Sequence, residues 1–488
     1  MKTGHSRRIP ARVVAIAMLF CAIGTAGAWA AQVAPSYLER STDQQGFHPT
    51  INQPPASAGT NIVNLNTSES FMTIQDAIDA PNTLDGHVIE VQTPTFSEGI
   101  VDVNKGVTIQ GMSGGSTINA AASTGSSGDA RAWFLISADD VTLRDLTFDG
   151  TGFSIYQAVR CINAGLTVDG CTFQNIAYST YIGFGMAIFE NASVTDCTFS
   201  NIERVGVILF GANVTAGLVD GCTFTGKGVG DWLDYAVELG AGAVATVSNN
   251  TVTGNRGVAS SDGSTSAGML ITTYFGAGTT GDFVGNVVTD NSYGIYTGYD
   301  TADACVATLV GNDLSGNDNE ALVNTSTIKT DNASGNWWGS STLAGVQAAL
   351  DGDIDFTPWL DSGTDTDGGT AGFQGDFSVL HVDDDSPQTG ASGRVQEGVD
   401  MVTASTVLVG AGTYTEQIVI DGLDVHLLGE GAGVTTIASP ASLATTFTNT
   451  YTYKPIITAT NSGNIIVEDM TIDGLGMGNA NNRFVGVA

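Results

Sequence analysis

Two aspartates beside a tryptophan are the residues whose types and spacing most directly suggest chemistry. Asp231 and Asp234 flank Trp232. A pair of carboxyl groups can divide the general-acid and base or nucleophile roles in the cleavage of a glycosidic bond. An indole ring between them offers an apolar face to a sugar. We therefore name Asp231 and Asp234 as candidate catalytic residues for glycoside-type acid/base chemistry.

Other aromatic and charged residues lie in the same kind of segment, between short repeated apolar motifs. Aromatic faces flanked by carboxylates suit stacking on sugar rings and hydrogen bonding to sugar hydroxyls. The same aromatics could instead cover the edge of a hydrophobic core, and both interpretations stay open. The candidate ligand-binding residues are Tyr156, Tyr178, Tyr181, Arg204, Trp232, Tyr235 and Tyr293.

Several other chemistries are disfavoured by what the sequence contains. No histidine occurs between His87 and His381, which excludes a Ser/His/Asp triad and a Gly-His-Gly loop in that stretch. Asp169, Asp196 and Asp220 recur in one turn, where aspartate most often accepts hydrogen bonds from its own backbone. A structural role is therefore preferred for these three.

An acidic segment provides the candidates for a metal site. Asp361, Asp365 and Asp367 lie in a stretch rich in Asp, Gly and Thr. The order Asp-Thr-Asp-Gly is similar to part of a calcium loop, but the first aspartate and the closing glutamate of such a loop are missing. A flexible acidic linker is the simpler interpretation. We expect no required cofactor, with calcium (Ca2+) as the one ion left open.

A hexapeptide that returns at a near-constant interval predicts the elements that position these residues. It occurs at 168–173, 194–199 and 219–224, 26 and 25 residues apart. Self-similarity at this period predicts a solenoid, because a propeller blade needs about 40–50 residues. Short strands with alternating apolar residues and Gly/Asn/Asp turns favour an all-β, right-handed parallel β-helix.

The repeats predict columns of identical side chains along the solenoid. One column is apolar throughout, and the other changes from small apolar residues to asparagines that can form amide ladders. We expect the cysteines to be buried small groups rather than disulfides, because stacked side chains point in parallel. The predicted structural residues in these columns are Phe148, Cys171, Phe173, Cys197, Phe199, Cys222, Phe224, Asn250, Asn286, Asn312 and Asn336.

The order of elements occurs twice, which predicts two tandem copies of one domain. The helix at 73–79 and its three following strands recur from 394 to 429. The second copy has too few turns to bury its faces, so we expect the chain to be a fragment of a longer protein. The predicted division is signal peptide 1–30, N-terminal linker 31–59, complete domain 60–360, acidic linker 361–377 and incomplete second domain 378–488.

The N-terminus and the overall charge predict export. Four basic residues precede an apolar run at 13–23 and an Ala-Trp-Ala cleavage site at 28–30. The net charge of −34 disfavours nucleic acid and anionic membranes as partners. No later segment has the length and apolarity of a membrane span. We expect a protein that is secreted or held at the cell surface.

Motifs at the two ends of the first copy and at the start of the second carry a resemblance to a known superfamily. They are the helix with Gln75, repeated at Gln396, the element Gly412-Thr413-Tyr414-Thr415-Glu416, and the ending that contains Trp337, Trp338 and Trp359. This layout resembles bacterial exported repeat proteins of the pectate-lyase-like superfamily of right-handed parallel β-helices. In these proteins the Asn-Trp-Trp-Gly stretch closes the last coils, which implies that the three tryptophans are structural.

The resemblance specifies a fold more closely than an activity, because this superfamily contains lyases, hydrolases, esterases, epimerases, adhesins and inert scaffolds. We predict a protein that binds extracellular polysaccharide or a cell-surface glycan without catalysis. The first alternative is a polysaccharide lyase or glycoside hydrolase acting in a lateral aromatic groove. The second is a structural stalk or adhesin repeat.

Overall fold

A computed structural model describes residues 60–403, 405–479 and 483–488. The predicted signal peptide and the predicted linker at 31–59 lie outside the described residues. The chain divides into two compact units. The described part of the first runs to Asp282 and adds Asn286–Ala307 and Gly316–Ile328, and the second comprises Phe283–Gly285, Thr308–Ser315 and, where described, Lys329–Ala488.

Short strands dominate the chain and begin soon after residue 60. The first twenty-two are β1 (Ile62–Asn64), β2 (Glu69–Phe71), β3 (Val88–Val91), β4 (Thr95–Glu98), β5 (Val101–Val103), β6 (Thr108–Gly111), β7 (Ser116–Ala120), β8 (Ala132–Ile136), β9 (Thr142–Arg144), β10 (Leu146–Asp149), β11 (Gln157–Cys161), β12 (Leu166–Asp169), β13 (Thr172–Ile176), β14 (Phe184–Ile188), β15 (Ala192–Thr195), β16 (Thr198–Ile202), β17 (Val205–Phe210), β18 (Gly217–Asp220), β19 (Thr223–Gly228), β20 (Tyr235–Gly240), β21 (Val244–Ser248) and β22 (Thr251–Asn255).

The later strands are shorter and more widely spaced. They are β23 (Met269–Ile271), β24 (Thr280–Val284), β25 (Val287–Val288), β26 (Ile295–Thr297), β27 (Val306–Val310), β28 (Leu322–Asn324), β29 (Asp331–Asn332), β30 (Leu350–Asp351), β31 (Ile354–Asp355), β32 (Trp359–Leu360), β33 (Val379–Val382), β34 (Thr406–Val409), β35 (Gly412–Thr415), β36 (Ile418–Asp421), β37 (Val425–Gly429), β38 (Thr435–Ala438), β39 (Phe447–Thr448), β40 (Thr452–Thr460), β41 (Ile465–Glu468), β42 (Thr471–Asp473) and β43 (Phe484–Val487).

Helices are few and short within the described residues. The α-helices are α1 (Ile74–Asp79), α2 (Leu343–Ala348) and α3 (Arg394–Met401), and 3-10 turns cover Gly128–Arg131 and Met477–Asn479. The helices α1 and α3 agree with the helices that the sequence predicts at 73–79 and from 394.

Three sheets run the length of the first unit. The first begins with the order β2-β1-β3-β6-β9-β12-β15-β18-β21, the second has the order β4-β7-β10-β13-β16-β19-β22-β25, and the third begins with the order β5-β8-β11-β14-β17-β20-β23-β26-β28. From β3 onward successive turns pair in parallel, for example β12 with β15 and β13 with β16, whereas β1 pairs antiparallel with β2 and β3. One strand per sheet per turn, with parallel neighbours, is the architecture of a parallel β-helix. The predicted solenoid is confirmed.

A stack of phenylalanines fills the interior beside the second sheet. The ring centroids of Phe148 and Phe173 are 4.9 Å apart, those of Phe173 and Phe199 5.0 Å, and those of Phe199 and Phe224 4.6 Å. The planes differ by no more than 8°. This spacing matches the distance of about 4.8 Å between hydrogen-bonded strands, so the predicted apolar column is present.

The neighbouring column contains the repeated cysteines and then asparagines. Cys171, Cys197 and Cys222 are buried and unbridged, so the preference for small buried groups over a disulfide is confirmed. The Cys222 backbone N–H donates to Asn250 Oδ1 (2.9 Å), and Asn250 Nδ2 donates to Asn286 Oδ1 (3.0 Å). The buried amides therefore satisfy one another along the column.

A second amide ladder, which the sequence analysis did not identify, runs along the first unit. Asn255 Nδ2 donates to Asn291 Oδ1 (2.9 Å), and Asn291 Nδ2 donates to Asn317 Oδ1 (3.2 Å). Each of these asparagines lies five residues after a member of the predicted ladder. The repeat therefore specifies two polar columns and not one.

The second unit contains the predicted closing motif. Asn312 Nδ2 donates to Asn336 Oδ1 (2.8 Å), which continues the ladder pattern. Trp338 and Trp359 are buried, whereas Trp337 is half-buried and bridges Asp313 in parallel. Trp359 also stacks on His381 with ring centroids 5.2 Å apart.

The second unit then repeats the opening elements of the first. Its parallel neighbours are β33-β34-β37-β41, β35-β38-β42 and β36-β40. The helix α3 precedes β34, as α1 precedes β3. The predicted recurrence of the elements is present, whereas the predicted domain limits stay predictions.

Each opening helix is fixed by one glutamine and one glutamate. Gln75 Oε1 accepts the Asp102 N–H (2.7 Å), its Nε2 donates to the Asp102 carbonyl (3.2 Å), and Glu98 Oε2 accepts the Ile74 N–H (2.7 Å). In the second unit, Gln396 makes the same two bonds to the backbone of one strand residue. That residue is Val419, at 2.6 and 3.0 Å.

Candidate functional site

The outer face of the third sheet positions the candidate residues of the first unit. Side chains alternate between the two faces along β17, so Val207 and Leu209 lie on one face of the sheet and Ile208 lies on the other. Ile208 pairs in register with Ala187 on one side and Glu238 on the other, and Glu238 pairs with Leu270. We call this column the outer column; it contains Arg160, Ala187, Ile208, Glu238, Leu270, Tyr296 and Val323.

The outer column is apolar at most positions and packs with aromatic side chains. Ala187, Ile208, Leu270 and Tyr296 belong to one buried cluster that also contains Phe184. Half-exposed hydrophobic side chains pack against this cluster; they are Ile162, Tyr178, Tyr181, Ile182, Phe210 and Tyr293. The face is therefore an apolar surface whose outermost groups are largely aromatic.

Asp231 is exposed and held by three hydrogen bonds at one edge of this face. Its Oδ1 accepts the Tyr181 hydroxyl (2.6 Å) and the Ser260 N–H (2.7 Å), and its Oδ2 accepts the Ser260 hydroxyl (2.7 Å). These donors, the Tyr181 hydroxyl first, lower the pKa of Asp231 to about 2. Asp231 is therefore a carboxylate at any ordinary pH, which suits hydrogen bonding to a ligand better than proton donation.

Lys227 links a carboxylate to the indole ring beside Asp231. Its Nζ lies 2.6 Å from Glu203 Oε2 and 4.5 Å from the centre of the Trp232 ring. Trp232 Nε1 donates to the Gly228 carbonyl (3.0 Å). A cation over one face fixes the indole plane, so the ring is held in one orientation.

Asp234 lies in a different environment from Asp231. It is buried, its Oδ2 accepts the Lys227 N–H (2.9 Å), and its Oδ1 accepts the Ser266 hydroxyl (2.7 Å). Burial raises the pKa of Asp234. Both carboxyl oxygens thus serve the local fold, and the acid/base roles of Asp231 and Asp234 stay a prediction.

The structure places the remaining candidate ligand residues at two depths. Tyr156 and Tyr235 are buried, and burial raises the pKa of Tyr156 to about 12. Half-exposed Tyr178 leans on Tyr156, with ring centroids 5.1 Å apart, and Tyr293 packs on Tyr296 at 5.7 Å. The buried rings form the base of the face, and the half-exposed rings form its outer layer.

Arg204 and Glu238 bring charge into this apolar surface. The Arg204 guanidinium lies 5.2 Å from the centre of the Tyr235 ring, and Arg204 is buried. Burial raises the pKa of Glu238 to about 7, and the charge of Arg204 partly offsets this. Glu238 is not among the candidate residues predicted from the sequence, although comparison of its position with Ala187 and Ile208 in the register could have identified it.

A second aromatic run was also missed by sequence analysis. Ring centroids of Phe189 and Phe210 are 6.2 Å apart, those of Phe210 and Phe275 5.4 Å, and those of Tyr274 and Tyr299 4.0 Å. The Arg160 guanidinium lies 4.4 Å from the centre of the Phe189 ring. These aromatic residues lie at the last residue of a strand in the third sheet or shortly after it. The face therefore has aromatic side chains at both ends of its strands.

The acidic segment proposed for calcium uses its carboxylates in local contacts. Asp361 Oδ1 lies 2.7 Å from His381 Nε2, and Asp365 Oδ1 accepts the Asp367 N–H (3.0 Å). Among the described residues, one group of three carboxylates has ligand atoms within 4.8 Å of one another; it consists of Asp383, Asp384 and Asp385. Calcium binding at Asp361, Asp365 and Asp367 stays a prediction.

Comparison with known proteins agrees with this architecture. Residues 111–334 match the family described as the right-handed beta helix region. This match confirms the predicted right-handed parallel β-helix and the predicted resemblance to the superfamily built on it.

One curated relative and two solved structures are similar to the chain. The "Cell surface glycoprotein" of Methanothermus fervidus is 34% identical over 114 residues, which is 23% of this chain and 16% of that protein. The Azotobacter vinelandii mannuronan C-5 epimerase AlgE4 A-module is 13% identical, with a TM-score of 0.38 over 89% of this chain and 98% of that one. The PL6 family alginate lyase AlyGC is 10% identical, with a TM-score of 0.25 over 80% and 68%.

The curated relative is much longer than the matching segment, since the alignment spans about a sixth of its length. Within the described part of this chain, no helix has the length and apolarity that crossing a bilayer requires.

Proposed function

We propose that this chain is a secreted or cell-surface protein whose first β-helix unit binds extracellular polysaccharide without catalysis. The observation that carries the proposal is the half-exposed edge formed by Tyr181, Asp231 and Trp232. It combines an ionised carboxylate with two aromatic rings, and the Asp231 hydrogen bonds and the Lys227 contact hold it in place. Sites for neutral, hydroxyl-rich ligands combine apolar faces with a few fixed polar groups in this way.

The proposed location has support of a different kind. The curated relative from Methanothermus fervidus carries the name "Cell surface glycoprotein". A net charge of −34 keeps an extracellular protein soluble and repels other polyanions. The N-terminal signal predicted from the sequence agrees with export.

The environments of the two aspartates support binding rather than hydrolysis. A glycosidase needs one carboxyl group that is protonated at working pH and a second that faces the same bond. Asp231 has a pKa of about 2, and Asp234 is buried with both oxygens bonded to Lys227 and Ser266. Neither group is therefore arranged as an exposed proton donor.

The test is a binding screen of purified protein, without residues 1–30, against soluble polysaccharides. Trp232→Ala should weaken binding of a retained glycan about tenfold or more, as expected for a central aromatic contact. Tyr451→Ala is the matched control, because Tyr451 is also an exposed aromatic residue beside a cation, Arg483, but belongs to the second unit. It should leave the affinity unchanged.

Two outcomes would replace the proposal. Release of reducing ends or of unsaturated uronates by the wild-type protein, lost in the double variant Asp231→Asn and Asp234→Asn, would make it a glycosidase or lyase. Absence of binding to every glycan tested would favour the structural stalk or adhesin repeat.

A further inference from the structure

Glu238 is a buried carboxyl group in the middle of the outer column. Its side chain is 1% exposed, and neither carboxyl oxygen has a hydrogen-bond partner among the described residues. Burying a polar group without a hydrogen bond costs free energy, and burying a charged one costs more. Its counterparts in the adjacent turns, Ile208 and Leu270, show that an apolar residue suits this position.

A second unsatisfied group lies on the same strand. The Tyr235 hydroxyl is buried and also lacks a hydrogen-bond partner within the described residues. Tyr235 and Glu238 both belong to β20, and Arg204 lies against the Tyr235 ring. One donor and one acceptor, both without partners, are therefore available on a single strand of the outer face.

The surroundings of this pair restrict what could bind there. The neighbouring cluster is apolar, and half-exposed Tyr178 and Tyr293 pack against it. A ligand that reaches the base of this surface meets an acceptor, Glu238, and a donor, the Tyr235 hydroxyl, in apolar surroundings. A sugar ring matches this surface, since its hydroxyls can donate to Glu238 and accept from Tyr235 while its apolar face contacts the rings.

The charges near the site disfavour a polyanionic ligand. Glu203, Asp231 and Asp234 lie along the same edge, and Lys227 is already paired with Glu203. The whole chain adds a net charge of −34. A uronate polymer would bring further negative charge toward these carboxylates.

We infer that Tyr235 and Glu238 bind the hydroxyl groups of an uncharged polysaccharide, and that the protein prefers neutral glycans to uronate polymers. This inference rests on the proposed function and specifies its ligand class. Arg204 is the competing feature, since a guanidinium could pair with a uronate carboxylate. The experiment therefore compares both classes of ligand.

The first measurement compares affinities of the wild-type protein for a soluble neutral glucan, a galactomannan, polygalacturonate and alginate at two salt concentrations. At least one neutral polymer should bind tenfold or more tightly than either uronate polymer at low salt. Equal or tighter binding of a uronate polymer would overturn the inference and leave the proposed function intact. Failure to bind any polymer would instead overturn the proposed function.

The second measurement uses Glu238→Leu, which separates a binding role from a structural one. Replacing the carboxyl by an apolar side chain like those of Ile208 and Leu270 removes the acceptor and also a negative charge near buried Arg204, so the melting temperature is measured alongside the affinity. Glu238→Leu should lower affinity for the neutral glycan at least tenfold, and Tyr235→Phe should lower it about threefold. A folded variant with unchanged affinity would overturn the inference, and Leu270→Ile serves as the control on the same column.

Discussion

The opening helices of the two units use different side chains to accept the hydrogen bonds of their first backbone N–H groups. In the first unit, the Thr73 hydroxyl accepts the Asp76 N–H (2.9 Å), and Glu98 accepts the N–H of Ile74 (2.7 Å). In the second unit, Gly393 precedes the helix and offers no side chain. There Glu416 accepts two helix N–H groups, from Val395 (3.1 Å) and Gln396 (2.8 Å).

The difference shows how one cap can replace another. A helix leaves its first N–H groups without intrahelical partners, and any oxygen in reach can satisfy them. Capping by Glu416 requires a glycine at position 393, because a Cβ there would lie 2.3 Å from Glu416 Oε2. The first helix divides the task between two side chains, whereas the second depends on one.

The largest effect should come from removing that single residue. Glu416→Ala should destabilise the second unit by about 4 kcal/mol, since two hydrogen bonds to a carboxylate contribute about 1.5–3 kcal/mol each. Hydrogen exchange of the Val395 and Gln396 amides measures this locally. Glu98→Ala, which leaves the Thr73 cap in place, should destabilise the first unit by less. An equal loss of stability in the two units would contradict the proposed difference between the two helices.

Glu98 should also make stability depend on pH. Burial raises its pKa from 4.5 to about 7 in the folded protein. Between these values the unfolded chain has released the proton that the folded chain retains. The free energy of unfolding should therefore fall as pH rises from about 4.5 to 7, by at most about 3 kcal/mol.

Urea denaturation at several pH values measures this slope, and Glu98→Gln should flatten it. An unchanged slope in that variant would assign the pH dependence to other groups. The Glu416 carboxyl, whose pKa burial also raises, should add a slope of the same sign in the second unit.

The glycine that makes room for Glu416 gives a smaller effect. Gly393→Ala should destabilise the second unit by about 2 kcal/mol, in the range of overpacking substitutions, because the added methyl group displaces the carboxylate. Thermal unfolding followed by circular dichroism measures the loss. The control is Gly433→Ala, where nothing lies within 4 Å of the added Cβ, and this change should be nearly neutral.

The smallest effect belongs to the cap that has no counterpart in the second unit. Thr73→Ala should cost about 1 kcal/mol, the usual value for a lost N-cap side chain. Ser127→Ala is the matched control, because Ser127 precedes a 3-10 turn without a side-chain cap bond. If both variants lost stability equally in urea, the Thr73 hydroxyl would not be the cause.

The columns of stacked side chains could be predicted from the sequence because they depend only on the period of the repeat and on residue type. Phe173 and Phe199 recur at one position of the hexapeptide, so parallel strands had to stack them. Asn250 and Asn286 were predicted in the same way, whereas the helices α1 and α3 were predicted from the recurrence of the element order. Asn255 and Asn291 escaped notice because they follow the repeated motif by five residues, where the intervening sequences differ.

The outer face was less predictable because a local irregularity changes which side chains face outward. Strict alternation would place Phe184 on the inner side with Met186. An added Cβ on Gly185 would lie 2.9 Å from Phe199 Cδ1, so Gly185 faces inward. Phe184 consequently faces Tyr156, with ring centroids 5.9 Å apart.

The uniform stack of Phe148, Phe173, Phe199 and Phe224 also bears on how such a molecule can change in length. Each ring meets the next in nearly the same geometry, so an in-frame gain or loss of one complete turn would rejoin matching surfaces. Each turn adds about 4.8 Å to the solenoid. Duplication of short gene segments could therefore lengthen the outer face in fixed steps while its cross-section stays the same.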